Sequence, residues 1–180
     1  MKLKCALHTH TKEYDKFAEL APQEAIAMYK NQGFDVIAIT DHNYLYDGPT
    51  DHDGILVIPG NERTGQKYHI LEFGGIRILA HPSWSGLTQA EFDRQMETCD
   101  AFEAFNGTCR SKGVEWNPEK YAMWPGHGIA TDDLHWVRRD VGNVGMVNYF
   151  AVGVTYVDAE AATIESVCAA IKAGKYTVDK

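Results

Sequence analysis

Short apolar runs of strand length recur along this chain, and most of them lead into a histidine or an acidic residue. Cys5-Ala-Leu7 leads into His8-Thr-His10, and Phe34-Asp-Val-Ile-Ala-Ile-Thr40 leads into Asp41-His42-Asn43. Ile55 to Ile58 is followed by Pro59-Gly-Asn-Glu62, Gly75 to Ala80 by His81-Pro82, and Gly128-Ile-Ala-Thr131 by Asp132-Asp-Leu-His135. Alternate side chains of a strand share a face, so His8 and His10 can both point at one metal ion. The same spacing of two separates Asp133 from His135, and on an extended backbone it presents both inward. The run from Phe34 to Thr40 is apolar on both faces, as parallel strands covered by helices are.

Helical patterns alternate with these runs. Pro22 to Gln32 has Pro at its first position, Glu24 in its first turn and Gly33 as its stop, with no side-chain cap at Ala21. Thr88-Gln-Ala-Glu91 is a capping box that opens a helix ending near Cys99. A short helix is expected from Asn117-Pro118, and another from Thr163 to Ala173. Ala101 to Phe105, Tyr149 to Val157 and Lys175 to Val178 complete the strands, and Tyr68 to Leu71 is half of a short hairpin. Strands alternating with helices predict a parallel α/β architecture. In an α/β barrel the strand ends converge on one mouth, which is where the polar residues of this chain fall. The glycine fingerprint of an open dinucleotide-binding sheet is absent.

At 180 residues, with 44% hydrophobic and 23% charged residues, the chain is most simply one soluble domain, residues 1–180. No apolar run approaches the roughly 20 residues of a membrane span, and Met-Lys-Leu-Lys-Cys does not read as a signal peptide, so a cytoplasmic location without membrane contact is expected. Cys5, Cys99, Cys109 and Cys168 lack Cys-x-x-Cys spacing and are expected to be reduced. The net charge of -8 opposes binding to long nucleic acid. An anionic substrate would need local positive charge, and bound metal ions are one way to supply it.

Taken together, His8-Thr-His10-Thr11, Ile39-Thr-Asp-His42-Asn43, Gly60-Asn-Glu62, His69, Ala80-His81-Pro82, Phe102-Glu-Ala-Phe-Asn106-Gly107 and Asp132-Asp-Leu-His135 resemble the motifs of the PHP (polymerase and histidinol phosphatase) domain family. The run from Thr155 to Tyr176 is similar to the family's usual ending, so the resemblance spans nearly the whole chain. It implies a distorted, shortened TIM-like barrel of about seven strands with two or three divalent metals, zinc, manganese or iron, at its mouth. One metal would be held by His8, His10, Glu62 and Asp133, a second by Asp15, His42 and His135, and a third by Glu62, His69 and His81. The family's chemistry would be hydrolysis of a phosphoester by a metal-bridging hydroxide, with Asp133, Glu62 and His135 as the catalytic groups.

The chain also departs from such a barrel. The segment from Asn43 to Gly54 has room for at most a vestige of a helix, and the stretch from His69 to His81 is compact where relatives carry a long insertion. The substrate is expected to be a small phosphorylated metabolite or nucleotide, with Asn106, Arg110 and Arg138 as candidate contacts, and Lys112 and Arg139 on the same side. Glu103 is a candidate support for the ligands. Trp84, Trp116, Trp124 and Trp136 flank the motifs and can line a pocket. Metal-dependent hydrolysis of a carbon-nitrogen bond, exonuclease activity and metal binding without turnover are the alternatives.

Overall fold

The computed structural model describes residues 1–111 and 127–179, with Arg110 and Ser111 as backbone. In chain order these residues form β1 (Lys2–Ala6), α1 (Pro22–Asn31), β2 (Val36–Ile39), β3 (Asp51–His52), β4 (Ile55–Thr64), β5 (His69–Phe73), β6 (Ile76–Ala80), α2 (Gln89–Met96), β7 (Ala101–Asn106) and α3 (Gly107–Ser111). After the undescribed segment come β8 (Gly128–Thr131), β9 (Arg138–Asp140), a single 3-10 turn (Gly142–Val144), β10 (Met146–Asn148), β11 (Val154–Asp158), α4 (Ile164–Lys172) and β12 (Tyr176–Asp179). The helix expected from Asn117-Pro118 lies outside the described residues, as do Lys112, Trp116, Trp124 and the side chain of Arg110.

Nine strands follow one another in the order β12-β11-β1-β2-β4-β5-β6-β7-β8, with β3 paired to β4 at the side. The sheet is mixed. The pairs β1–β2, β2–β4, β6–β7 and β7–β8 are parallel, whereas β4–β5, β5–β6, β1–β11 and β11–β12 are antiparallel. The expected distorted α/β barrel is present, with nine strands where about seven were expected and with mixed rather than parallel pairing. The reason lies in the compact stretch before His81. Gly74 and Gly75 both take positive φ, 54° and 78°, and so turn β5 straight back into β6 where a helical crossover would need far more chain. Similarly, the segment from Asn43 to Gly54 ends in a tight turn at Asp53 (φ 57°) and Gly54 (φ 89°) that folds β3 onto the start of β4.

The barrel-like sheet nearly closes where β8 comes against β11. The Thr155 hydroxyl donates to the Ala130 carbonyl at 2.8 Å, and the Ala130 N–H donates back to it at 3.1 Å, so one buried side chain bridges the seam. Backbone approach here is close enough that a Cβ on Gly153 would lie 2.1 Å from the Thr131 carbonyl oxygen. The interior is filled from alternate positions, Val36 and Ala38 of β2 with Leu3, Cys5, Ile58, Leu71, Ile78, Ile129 and Val157. Helix α4 presses Val167 and Ile171 into the same core and reaches the Gly74 turn, and so covers the end away from His69. The outward residues Ile37 and Ile39 pack under Ala25, Ile26 and Tyr29 of α1, while α2 seats Phe92 on Ile70, Leu79 and Phe102.

The α1 start is held as its residues dictate: Ala21 provides no side-chain cap, and its N–H donates instead to Glu24 Oε2 at 2.7 Å. The Thr88 capping box forms, with the Glu91 N–H donating to the Thr88 hydroxyl and the Thr88 N–H donating to the Glu91 carboxylate. Two strand boundaries differ from expectation. Glu62 lies inside β4, because antiparallel pairing with β5 carries that strand on to Thr64. The strand expected from Tyr149 begins only at Val154, since Ala151 (φ 54°) bends the chain so that the N–H groups of Ala151, Val152 and Gly153 all donate to the Asp132 carboxylate. Among the described residues no helix is long and apolar enough to cross a membrane.

Candidate metal centre

Beyond Ala6 the chain keeps its alternation: Thr9 bridges to Leu134, and its carbonyl accepts from the Thr40 N–H, which turns His8 and His10 together into the mouth. Asp15 follows from the next loop, whose residue Thr11 donates both its N–H and its hydroxyl to the buried Asp41 carboxylate. His42 lies three residues past β2 and bridges to Glu62, His69 begins β5, and His81 (φ 28°) directly follows β6. Asp133 and His135 reach the same place by a route the sequence did not suggest. Strand β8 stops at Thr131, and Asp133 is not extended but left-handed, with φ 52°. A turn rather than a shared strand face aims the two side chains, and the Asp133 carbonyl accepts from His135 Nδ1 at 3.0 Å.

All nine side chains expected as ligands thus meet at one end of the barrel. His8 Nε2 and His10 Nε2 are 3.0 Å apart; His8 Nε2 lies 3.4 Å from Glu62 Oε2 and 3.3 Å from Asp133 Oδ1, and His10 Nε2 is 3.2 Å from each of the same two oxygens. Four donors at about 2.0–2.1 Å around a tetrahedral ion stand about 3.3 Å from one another. Five of the six edges of that tetrahedron are therefore present. Beside it, Asp15 Oδ2 is 3.2 Å from His135 Nε2, 3.5 Å from His10 Nδ1 and 3.7 Å from His42 Nε2. Glu62 Oε2 also meets His42 Nδ1 at 2.9 Å, and Glu62 Oε1 meets His69 Nδ1 at 2.8 Å and His81 Nε2 at 2.9 Å.

Three groups can each hold an ion by this geometry: His8, His10, Glu62 and Asp133; His10, Asp15, His42 and His135; and His42, Glu62 and His69. The first is the expected set, the second adds His10 to the expected one, and the third has His42 where His81 was expected. His10 faces two groups because its two ring nitrogens point opposite ways. Buried polar atoms ordinarily have hydrogen-bond partners. Here His10 Nδ1, Asp15 Oδ2, Glu62 Oε2, His81 Nδ1 and Asp133 Oδ1 are buried and make no hydrogen bond of good geometry, all within this cluster, even where a facing donor or acceptor lies as near as 2.9 Å. Such a concentration of orphans is costly for protein alone and fits a site whose partners are cations.

The electrostatics agree. Burial would raise the Glu62 and Asp133 carboxyls, but the histidines around them outweigh it and hold both well below the ordinary carboxylate range. Asp15 is lowered to about 2: burial opposes ionisation, and the adjacent His135 ring and a hydrogen bond from the Phe17 N–H overcome it. Burial likewise opposes charge on His8, His81 and His135, yet the adjacent carboxylates pull all three up. In the metal-free protein, protons on histidine do what cations would do in their place.

A buried carboxylate stands behind the first group. Glu103 Oε1 meets His8 Nδ1 at 2.7 Å and accepts from the Thr131 hydroxyl, while Oε2 accepts from the His81 N–H and from Asn106 Nδ2. This fixes the tautomer of His8 that leaves Nε2 free to ligate. Glu103→Gln removes half the accepting capacity and is expected to weaken the tightest zinc site by about 10- to 100-fold, read by competition with a chelator of known affinity. Zinc affinity equal to that of the parent chain would show that Glu103 does not set the His8 orientation.

Asn106, expected as a substrate contact, is committed to protein: Nδ2 donates to Glu103 and Asp133, and Oδ1 accepts from the Cys109 N–H. It is a positioning residue. Arg138 is exposed on β9 and does not face the mouth cavity, whereas its neighbour Arg139 does. That cavity, about 370 Å³, opens above the cluster and is lined by Glu62, Asp133 and four of the histidines together with Phe17, Trp84, Thr108, Cys109, Trp136 and Arg139. Asp41 is also a structural part of the site that sequence reasoning did not single out.

No family model and no curated protein matches the sequence. A solved structure does match the fold, with a TM-score of 0.70 over 99% of this chain at 18% identity. It is a two-domain protein from Bacteroides vulgatus ATCC 8482 containing a predicted PHP-like metal-dependent phosphoesterase. The two share a fold. This chain spans 64% of that protein's length, so the match covers a part of it. In this chain the polar ends of the strands lie at one mouth, where the His/Asp/Glu clusters are.

Proposed function

We propose that this chain is a metal-dependent phosphoesterase acting on a small phosphorylated molecule, with two or three divalent ions held by His8, His10, Asp15, His42, Glu62, His69, His81, Asp133 and His135. The observation that carries this is the near-tetrahedral convergence of His8, His10, Glu62 and Asp133. A donor set of imidazole and carboxylate without thiolate suits zinc, manganese or iron. When bound, the ions supply Lewis-acid polarisation of the phosphoryl oxygens and a nucleophile at neutral pH.

The chain's own residues do the rest. Three divalent ions bring six positive charges against three from Asp15, Glu62 and Asp133, so an acidic chain presents a positive site to an anion. Asp133 has one oxygen held by Asn106 and the other turned to the cluster, where it can accept a proton from an attacking water. His135 has Nδ1 fixed on the Asp133 carbonyl and Nε2 turned to Asp15, so it presents one ring edge to the centre. As water bonds to phosphorus, the bond from phosphorus to the alcohol oxygen breaks, and the alcohol departs with a proton. A cavity of about 370 Å³ suits a small metabolite, and the net charge of -8 works against long nucleic acid.

The test is release of inorganic phosphate from a panel of phosphorylated metabolites by the metal-loaded chain, set beside ammonia release from amides and amines. Phosphate release abolished by a chelator and restored by metal is expected. Ammonia release alone would move the assignment to carbon-nitrogen hydrolysis, and tight metal binding without either product would make the chain a binding module.

The raised histidines give a pH dependence. Below their ordinary value of 6.5 these groups are protonated folded or unfolded, and the ion pairs stabilise the metal-free fold fully; that contribution is lost as pH rises through the raised folded pKa values. Metal must displace those protons, so apparent zinc affinity is expected to climb from pH 6 to pH 8, with proton release detectable by calorimetry in buffers of different ionisation enthalpy. An affinity flat across that range would contradict protonated histidines in the metal-free centre.

A further inference from the structure

The cavity above the centre is unevenly equipped. Its floor is histidine and carboxylate, and its walls include Trp84, whose ring centroid lies 5.1 Å from that of His81, and Trp136, 5.4 Å from His135. Two flat apolar surfaces thus stand directly beside residues of the proposed centre. Arg139 is the single Lys or Arg among the described residues that line this space.

The guanidinium of Arg139 sits over the Trp136 ring at 4.3 Å from its centroid, and Trp136 is braced in turn by Tyr149 at 5.7 Å. Stacking engages the face of a guanidinium and leaves its N–H donors free at the edge, in the fork that matches an oxyanion. No carboxylate among the described residues pairs with Arg139, in a chain whose acidic residues outnumber its basic ones by 25 to 17. The surface ion pairs of Arg63 and Arg77 with Glu72 show the usual alternative. The strand geometry of β9 turns its other arginine, Arg138, away from the cavity, so one position of the pair is directed at the site.

We propose that Arg139, held over Trp136, recognises a second oxyanion on the substrate, so that the alcohol half of the phosphoester carries a carboxylate or another phosphate in addition to the scissile group. This rests on the phosphoesterase reading for the scissile group, but the Arg139 subsite can be measured without turnover. The scissile phosphate is drawn to the metal ions, and a second negative group on the same molecule needs its own cation, because the remaining charges of the floor are the carboxylates of Glu62 and Asp133. A stacked arginine with its edge unoccupied supplies it, with bidentate geometry that a lysine would lack. The tryptophans favour a flat body between the two anionic ends.

The experiment compares phenyl phosphate with 4-carboxyphenyl phosphate and 4-(phosphonomethyl)phenyl phosphate, which share one planar body and differ in the second anion. With the zinc- or manganese-loaded chain, kcat/KM is expected to favour one or both doubly anionic compounds over phenyl phosphate by about tenfold or more, the size of one good charge-assisted contact. The carboxylate and phosphonate arms show which oxyanion the fork prefers. Arg139→Met should collapse the ratio toward one, Arg139→Lys should keep part of it, and Arg138→Met should leave it intact. Equal kcat/KM for all three compounds, or a preference that survives Arg139→Met, overturns the proposal. Should no phosphate be released from any compound, the phosphoesterase reading fails by itself. The subsite is then decided by calorimetric titration of the metal-loaded chain with benzylphosphonate and 4-carboxybenzylphosphonate: tighter binding of the second, lost in Arg139→Met, supports it, and equal binding overturns it.

Discussion

Glu62→Gln is expected to lower phosphoester turnover by about 100- to 3,000-fold and to cost the protein at least one equivalent of bound metal. The Glu62 carboxylate is fully buried and touches five histidines: Oε1 faces His69 and His81, and Oε2 faces His8, His10 and His42. An amide of the same shape brings no negative charge and turns an N–H₂ toward two or three of those rings. Removing one partner of a buried charged network costs roughly 3–5 kcal/mol, which corresponds to two to three and a half decades in a rate or a binding constant. His69→Ala should be milder, since His69 sits at the partly exposed edge and meets Glu62 through one oxygen. The two variants are separated by elemental analysis together with kcat at saturating metal. Full metal content and unimpaired turnover in Glu62→Gln would show that Glu62 does not hold the ions.

The adjacent pair Asp132-Asp133 is expected to divide stability from activity. Asp133 Oδ1 is a buried, unpartnered atom among His8, His10 and His135, and Asp133→Asn should reduce turnover by about 1,000-fold through loss of a ligand charge and a proton acceptor, with the fold largely retained. Asp132 faces the other way. Its carboxylate accepts four hydrogen bonds, from the Tyr29 hydroxyl and from the N–H groups of Ala151, Val152 and Gly153. In Asp132→Asn at least one of these donors meets an amide N–H₂, and leaving a buried donor unsatisfied costs about 1–3 kcal/mol. Asp132→Asn is therefore expected to lower the thermal midpoint by several degrees and to loosen the barrel seam, while binding metal normally in the fraction that remains folded. Chemical denaturation and metal titration of both variants check the division. A dead but fully stable Asp132→Asn would reverse the roles given to the two carboxylates.

That pair also shows where the sequence was legible and where it was not. The residue types and their placement after apolar runs are local properties, so His8, His10, His42, His81 and the Asp133/His135 pair could be picked out from patterning alone. The route by which Asp133 and His135 arrive was not legible, because it depends on a left-handed residue at Asp133, and Asp is not glycine: nothing in the tripeptide demands φ 52°. Beside it, Asp132 is held by the N–H groups of residues 151–153, nineteen to twenty-one positions later, a contact that no local pattern announces. The same contact cuts short the strand expected from Tyr149, whose apolar sequence fits a strand until the donors of Ala151 to Gly153 are claimed elsewhere.

Strand direction was hidden for a related reason. Apolar runs separated by helix-length spacers announce parallel strands, but β5 and β6 are separated by Gly74-Gly75 alone, and a hairpin there converts the middle of the sheet to antiparallel pairing and draws Glu62 into β4. The polar supports behind the ligands were the hardest to see. Glu103 and Asn106 stood out by their motif, yet Asn106 serves Glu103 and Asp133 with its N–H₂, and its Oδ1 accepts from the Cys109 N–H. Asp41, fastened to Thr11, looked in sequence like a neighbour of His42, because its partner lies thirty residues earlier.

The central claim is that these nine side chains form a multinuclear metal centre. Elemental analysis of the chain after removal of metal and reconstitution with zinc, manganese or iron tests it most directly. Two to three equivalents per chain are expected, falling by at least one in Glu62→Gln; one equivalent or less with all three metals would contradict the account.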